Sequence, residues 1–190
     1  MELIDACKTG DIEFLTKSLD EGLDVLTEKY EDISIFIFSC MEGHIDTVRL
    51  FLNRGTDVNF TDETNFSGIL AACNHYRNEL VELFMEYRAN LVRQYYIVVR
   101  TTSEEEDDIK CYMNVLSVAC IGCRYDTIKK LIDQGALVTE KLCSVPNEDK
   151  CENIYCKKCI LTAGCTPLFM CCTSNRTDVA QLLIYHGADI

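Results

Sequence analysis

Cys156-Lys157-Lys158-Cys159 has metal-ligand spacing in this 190-residue chain. Zinc takes four thiolate or imidazole ligands in a tetrahedron, commonly delivered as close pairs. Cys143 and Cys151 stand upstream as a second pair with seven residues between them, and Cys165 is a substitute ligand. Lys150, Lys157 and Lys158 favour the thiolate forms by their charge. The expectation is one zinc held by Cys143, Cys151, Cys156 and Cys159, set against reduced loop thiols in a cysteine-rich chain. A dithiol redox role has less support, because that motif belongs beside a strand–helix–strand unit and the pattern shows none.

No other constellation points to catalysis. The sequence has no G-x-S-x-G, no phosphate-binding loop and no H-E-x-x-H, and its nine glycines contain no G-x-G. His75 and His186 fall at expected helix ends, where solvation is the default, and His44 follows a glycine in a turn. The carboxylates cluster at helix starts, where they complement the helix dipole. A formal net charge of −13 argues against a phosphate backbone as partner and favours neutral or basic ones. No run approaches 18 apolar residues, so no membrane span is expected. The first residues, MELIDACKTGD, lack a basic start and an apolar stretch, so no secretory signal is expected either. Thirteen cysteines then point to reduced thiols in an intracellular compartment, cytoplasmic or nuclear.

The elements that would position these residues repeat. Gly22, Gly55, Arg88, Gly135 and Gly187 mark one column, at intervals of 33, 33, 47 and 52 residues. A fixed period of this size is the mark of a repeat array. Other columns follow in step. Leu3, Phe36, Ile69, Leu116 and Leu168 share an apolar position, and Ala6, Ser39, Ala72, Ala119 and Cys171 a small one. Glu13, Asp46, Glu79, Asp126 and Asp178 open a second helix in each copy. Phe51-Leu52, Phe84-Met85, Leu131-Ile132 and Leu183-Ile184 lie before its last turn, with Ser18-Leu19 in the first copy. Cys7, Cys40, Cys73, Cys120 and Cys172 occupy one column, where cysteine serves as a small buried apolar residue.

On these columns, and on Gly164-Cys165-Thr166-Pro167-Leu168, Gly43-His44-Ile45-Asp46-Thr47-Val48, Gly55-Thr56-Asp57-Val58-Asn59 and Gly187-Ala188-Asp189, the chain resembles the ankyrin repeat family. Arg88, Tyr76 and Cys123 depart from the family's glycines. The resemblance implies an all-α, ankyrin-type solenoid of about five helix-turn-helix repeats joined by short hairpin-like turns. The copies fall at residues 1–25, 26–59, 60–91, 112–138 and 164–190, within a single domain spanning 1–190. It also implies a structural hydrogen bond for His44, and binding of another protein through the turns and a concave helical face, without catalysis.

Two insertions, at about 92–111 and 139–163, interrupt the period. The first opens with aromatic and β-branched residues at 93–100, which predict a strand, and continues into an acidic run at 104–108. Loops of that size are usually functional or disordered. Asp62, Glu63 and Asn65 in a projecting turn, with Tyr95 and Tyr96 in the first insertion, are therefore the expected partner contacts. The last copy carries Leu182, Leu183 and Ile184 and nothing resembling a polar cap, so self-association or docking of a partner is expected there. An adaptor role in ubiquitin transfer needs a recruiting motif, usually outside the repeats, and is the less expected reading.

Overall fold

Five helix pairs follow the period in the computed structural model, which describes residues 2–63, 66–99, 109–139 and 166–189. They are α1 (Glu2–Thr9) with α2 (Ile12–Asp20), α3 (Ile35–Glu42) with α4 (Ile45–Asn53), and α5 (Gly68–Asn74) with α6 (Asn78–Glu86). After these come α7 (Val115–Gly122) with α8 (Tyr125–Asp133), and α9 (Pro167–Thr173) with α10 (Thr177–Tyr185). The fold is the all-α solenoid type that the resemblance implies.

The two helices of a pair are built differently. The inner first helices, α3, α5 and α7, are short and apolar on nearly every side, while α1 and α9 bury two residues each; α3 buries Ile35, Phe36, Ile37, Phe38, Ser39 and Cys40. A helix of that kind is stable only when enclosed. Each later first helix starts on a side-chain cap. Ser34, Ser67, Asn114 and Thr166 accept the N–H three residues on, at 3.3, 3.3, 2.7 and 3.2 Å. Such caps contribute about 1 kcal/mol each. Second helices are amphipathic. On α8, Thr127, Ile128, Leu131 and Ile132 are buried while Asp126, Lys129 and Lys130 face solvent.

Packing divides the chain into two compact units, Met1–Asn90 and Leu91–Ile190. In the first, α1, α3 and α5 pack in sequence order and α2, α4 and α6 pack beside them in the same order. In the second, α9 packs on α7 and α10 on α8. The small column is buried throughout, at Ala6, Ser39, Ala72, Ala119 and Cys171, which lets first helices approach closely. Phe36 lies edge-on to Phe84 at 6.3 Å and to Phe60 at 6.5 Å.

The connecting hairpins come in three lengths. β1 (Lys29–Tyr30) pairs antiparallel with β2 (Ile33–Ser34), across a turn whose two central residues, Glu31 and Asp32, have φ of 48° and 67°. Positive φ at both central positions suits the right-handed twist of a tight hairpin. Between the second and third copies the pair Thr61↔Ser67 is bridged. The first insertion lengthens the same device. β3 (Gln94–Val99) runs antiparallel to β4 (Ile109–Asn114), in register from Gln94↔Asn114 to Val99↔Ile109. Ser34, Ser67 and Asn114 each end a hairpin and cap the helix that follows.

Some columns break. Cys7, Cys40, Cys73 and Cys120 are buried, but Cys172 is exposed, on a face of α9 that no described element covers. Leu182 and Leu183 are buried in the last copy, whereas Ile184 is 45% exposed. Tyr76 and Arg88 keep the left-handed turn without glycine, at φ of 56° and 58°. Cys123 abandons it for an extended φ of −67°.

Candidate partner-binding surface

The turn at 57–67 is held by its own side chains. Asp57 accepts the Asn59 N–H at 2.9 Å, and the Asn59 side chain accepts the Asn90 N–H at 2.8 Å. Asp62 donates its N–H to the Phe66 carbonyl at 3.0 Å and accepts the Phe66 N–H on its carboxylate at 2.9 Å. Asp62 thus fixes the turn that presents Glu63. The Glu63 side chain is 89% exposed and meets Lys29 Nζ at 3.1 Å, tying this turn to the hairpin before it. In the preceding copy, Asp24 accepts the Leu26 N–H at 3.0 Å. That bond, with help from Thr27, holds the Asp24 carboxyl below the usual range.

Tyr95 and Tyr96 lie on β3, opposite Met113 and Tyr112, in the second unit, while Asp62 and Glu63 lie in the first. Asn65, the acidic run at 104–108 and the expected ligands Cys143, Cys151, Cys156 and Cys159 are outside the described residues. Among the described residues no group of three or more His, Cys, Asp or Glu is placed to hold a metal. No described helix is long and apolar enough to cross a membrane.

His44 takes the structural hydrogen bond that the resemblance implies, its ring Nε2 lying 2.7 Å from the Lys8 carbonyl oxygen. Arginine fills the same role in two later copies. Arg77 Nε donates to Met41 O at 2.9 Å, and Arg176 donates to Cys123 O at 2.5 Å. In three copies the residue before the second helix therefore reaches back to the end of the first helix, or the turn after it, in the copy before. These side chains are spent on the stack.

Exposed groups that the sequence reading passed over are Glu31 and Asp32 at the tip of the first hairpin and Tyr185 at the end of α10. The column of Tyr185 contains the signal. Its counterparts Asp20, Asn53, Glu86 and Asp133 are all polar, which marks a surface position, and Tyr185 there is 85% exposed. An open groove of about 690 Å³ lies between α8 and α10, lined by Tyr125, Lys129, Gln181 and Tyr185. In the first unit the second helices are joined instead by exposed pairs: Arg54 to Asp20 at 2.6 Å and Tyr87 to Asn53 at 2.5 Å. Exposed pairs of this sort contribute little each.

Comparison with known proteins agrees with this architecture. A description of ankyrin repeats in three copies matches residues 69–190, and a single ankyrin repeat matches residues 34–63. The chain belongs to the ankyrin repeat family. Over 163 residues this ankyrin array is 26% identical to the probable E3 ubiquitin-protein ligase XBOS33 of Oryza sativa subsp. japonica, covering 80% of the chain and 31% of that protein. Over 162 residues it is 26% identical to the E3 ubiquitin-protein ligase XBAT33 of Arabidopsis thaliana, covering 80% of the chain and 29% of that protein. The chain thus spans less than a third of the length of these relatives. The crystal structure of the human ASB11 ankyrin repeat domain superposes with a TM-score of 0.68 at 18% identity, covering 100% of this chain and 70% of that one. At that identity the likeness is one of fold.

Proposed function

We propose that this ankyrin array is a binding module for another protein, acting without catalysis, and that the acidic turn tips of its first unit meet a basic surface of the partner. The distribution of charge carries the reading. Residues 1–90 hold 18 Asp and Glu against 7 Lys and Arg, a net of −11, whereas residues 91–190 hold 13 against 11, a net of −2. Glu28, Glu31, Asp32 and Glu63 are exposed at or beside the tips, with Lys29 as the cation among them. Clustered charge of one sign steers association and makes it salt-dependent. Tyr95 and Tyr96 on the longer hairpin would supply the apolar contact, since aromatic anchors dominate many interfaces.

Capture from cell extract at low and physiological salt tests this. Replacing Glu31→Asn and Asp32→Gly removes both charges while giving the turn the residues it prefers. Together with Glu63→Gln, these changes should cut capture roughly tenfold at low salt and flatten its salt dependence. Tyr95→Ala with Tyr96→Ala should weaken capture at every salt concentration. Equal capture by all variants would sink the proposal.

The names of the two plant relatives favour a second reading, in which the array selects a target for ubiquitin transfer carried out elsewhere. Captured proteins should then lose ubiquitin conjugates in extract depleted of this chain. Unchanged conjugates would count against it.

A further inference from the structure

In the first four copies the repeat buries one thiol on the inner side of the first helix, and in two places packing sets that thiol beside the small residue of the next copy. The Cys7 thiol hydrogen-bonds with Ser39 in this way, across α1 and α3. Between α7 and α9 the small residue is itself a cysteine. Cys171 shares a side-chain hydrogen bond with Cys120, and both are fully buried in the interface of the two helices. Cys123 and Arg176 border the pair. Arg176 is held there by its bond to the Cys123 carbonyl and by Asp178 at 3.9 Å.

We propose that Cys120 and Cys171 form an oxidisable dithiol site that a small hydroperoxide converts to a disulfide joining α7 to α9. The thiolate is the reactive form, and neighbouring cations favour it. The hydrogen bond from Cys120 and the Arg176 charge hold the Cys171 thiol below its usual range, while that same bond and burial push Cys120 well up. Cys171 is therefore the attacking sulfur and Cys120 the resolving one. In the first step the Cys171 thiolate attacks one oxygen of hydrogen peroxide. An S–O bond forms as the O–O bond breaks, and hydroxide leaves to take up the proton that the thiol released. Cys171 is now a sulfenic acid, which condenses with a nearby thiol. Cys120 sulfur attacks it, the S–S bond forms, the S–O bond breaks, and the hydroxyl leaves as water with the Cys120 proton. Two thiols and one peroxide give one disulfide and two waters. The bond closes the chain from 120 to 171 and so encloses the whole second insertion, holding the fifth copy to the fourth whatever that insertion does.

The test treats the folded protein with hydrogen peroxide, alkylates the remaining thiols, and maps linked peptides without reduction. A Cys120–Cys171 link should appear on oxidation and disappear on reduction. Oxidation should also raise the thermal unfolding midpoint. Cys171→Ala supplies the control, because Ala6, Ala72 and Ala119 already fill this column and the variant should pack normally. It should show neither the link nor the rise. Oxidation confined to exposed Cys172, a link to Cys123 instead, or a link formed only after unfolding would each overturn the proposal.

Discussion

In the unit Met1–Asn90 the inward column of the second helices holds Phe51 and Phe84; in Leu91–Ile190 the same column holds Leu131 and Leu183. All four are fully buried. The facing column of the first helices changes with it, from Phe36 and Ile69 to Leu116 and Leu168. The first unit therefore sets phenylalanines into an aliphatic core at positions where the second has leucines, around the same small column. Their connections differ as well: two-residue strands at β1 and β2, six-residue strands at β3 and β4. The helix pair constrains what meets the neighbouring copy and leaves hairpin length and surface charge free. That is why an insertion can enter ahead of Asn114 without disturbing the helix it caps.

The largest expected effect tests these phenylalanines. Phe36→Ala removes the ring that meets both Phe60 and Phe84 and should cost about 3–5 kcal/mol. Leu116→Ala at the same column should cost less, since fewer atoms leave. Urea unfolding of both variants decides it, and a loss below about 1 kcal/mol for Phe36→Ala would remove the distinction between the cores.

A middle-sized effect separates conformational from steric demand in the turns. Gly135 has φ of 93°, and a Cβ built there meets nothing within 4 Å. Gly135→Ala should therefore cost about 1 kcal/mol, from backbone conformation alone. Gly43 has φ of 87°, but its Cβ would lie 2.5 Å from Arg77 Cδ. Gly43→Ala must also displace Arg77 from the Met41 carbonyl, adding roughly 1 kcal/mol. Equal costs for the two variants would mean that Arg77 does not hold the stack. Tyr76, Arg88 and Asn175 sit at φ of 54–58°, inside the left-handed well open to ordinary residues, which explains why they can replace glycine.

The columns made the helix pairs and the buried small residues legible, because burial repeats with the period. The cap residues Ser34, Ser67 and Asn114 were harder to read, since each stands at the end of a hairpin of different length. β4 lay hidden behind the acidic run, with a lysine inside it. Asp62 has the chemistry of a partner contact, yet its carboxylate is committed four residues away, at the Phe66 N–H. The meeting of Cys120 with Cys171 requires knowing that neighbouring copies offset their columns by one position, which only the packing reveals.

The smallest effect concerns a buried column that holds Thr47 and Leu80 in the first unit and Thr127 and Val179 in the second. Thr47 on α4 is fully buried, and its hydroxyl has no hydrogen-bond partner among the described residues. Its counterpart in the last copy is Val179, also fully buried. Valine matches threonine in shape and lacks the hydroxyl, so the second unit already demonstrates that this column accepts it. A buried polar group without a partner costs about 1–3 kcal/mol, and removing it leaves the packing intact. Thr47→Val should therefore stabilise the first unit by about 1 kcal/mol, the lower end of that cost. The denaturation midpoint should rise while the slope stays constant, because the surface exposed on unfolding does not change. A Thr47→Ser variant keeps the hydroxyl and loses a methyl group, and should fall below the wild type. If Thr47→Val instead loses stability, the hydroxyl has a partner in solution.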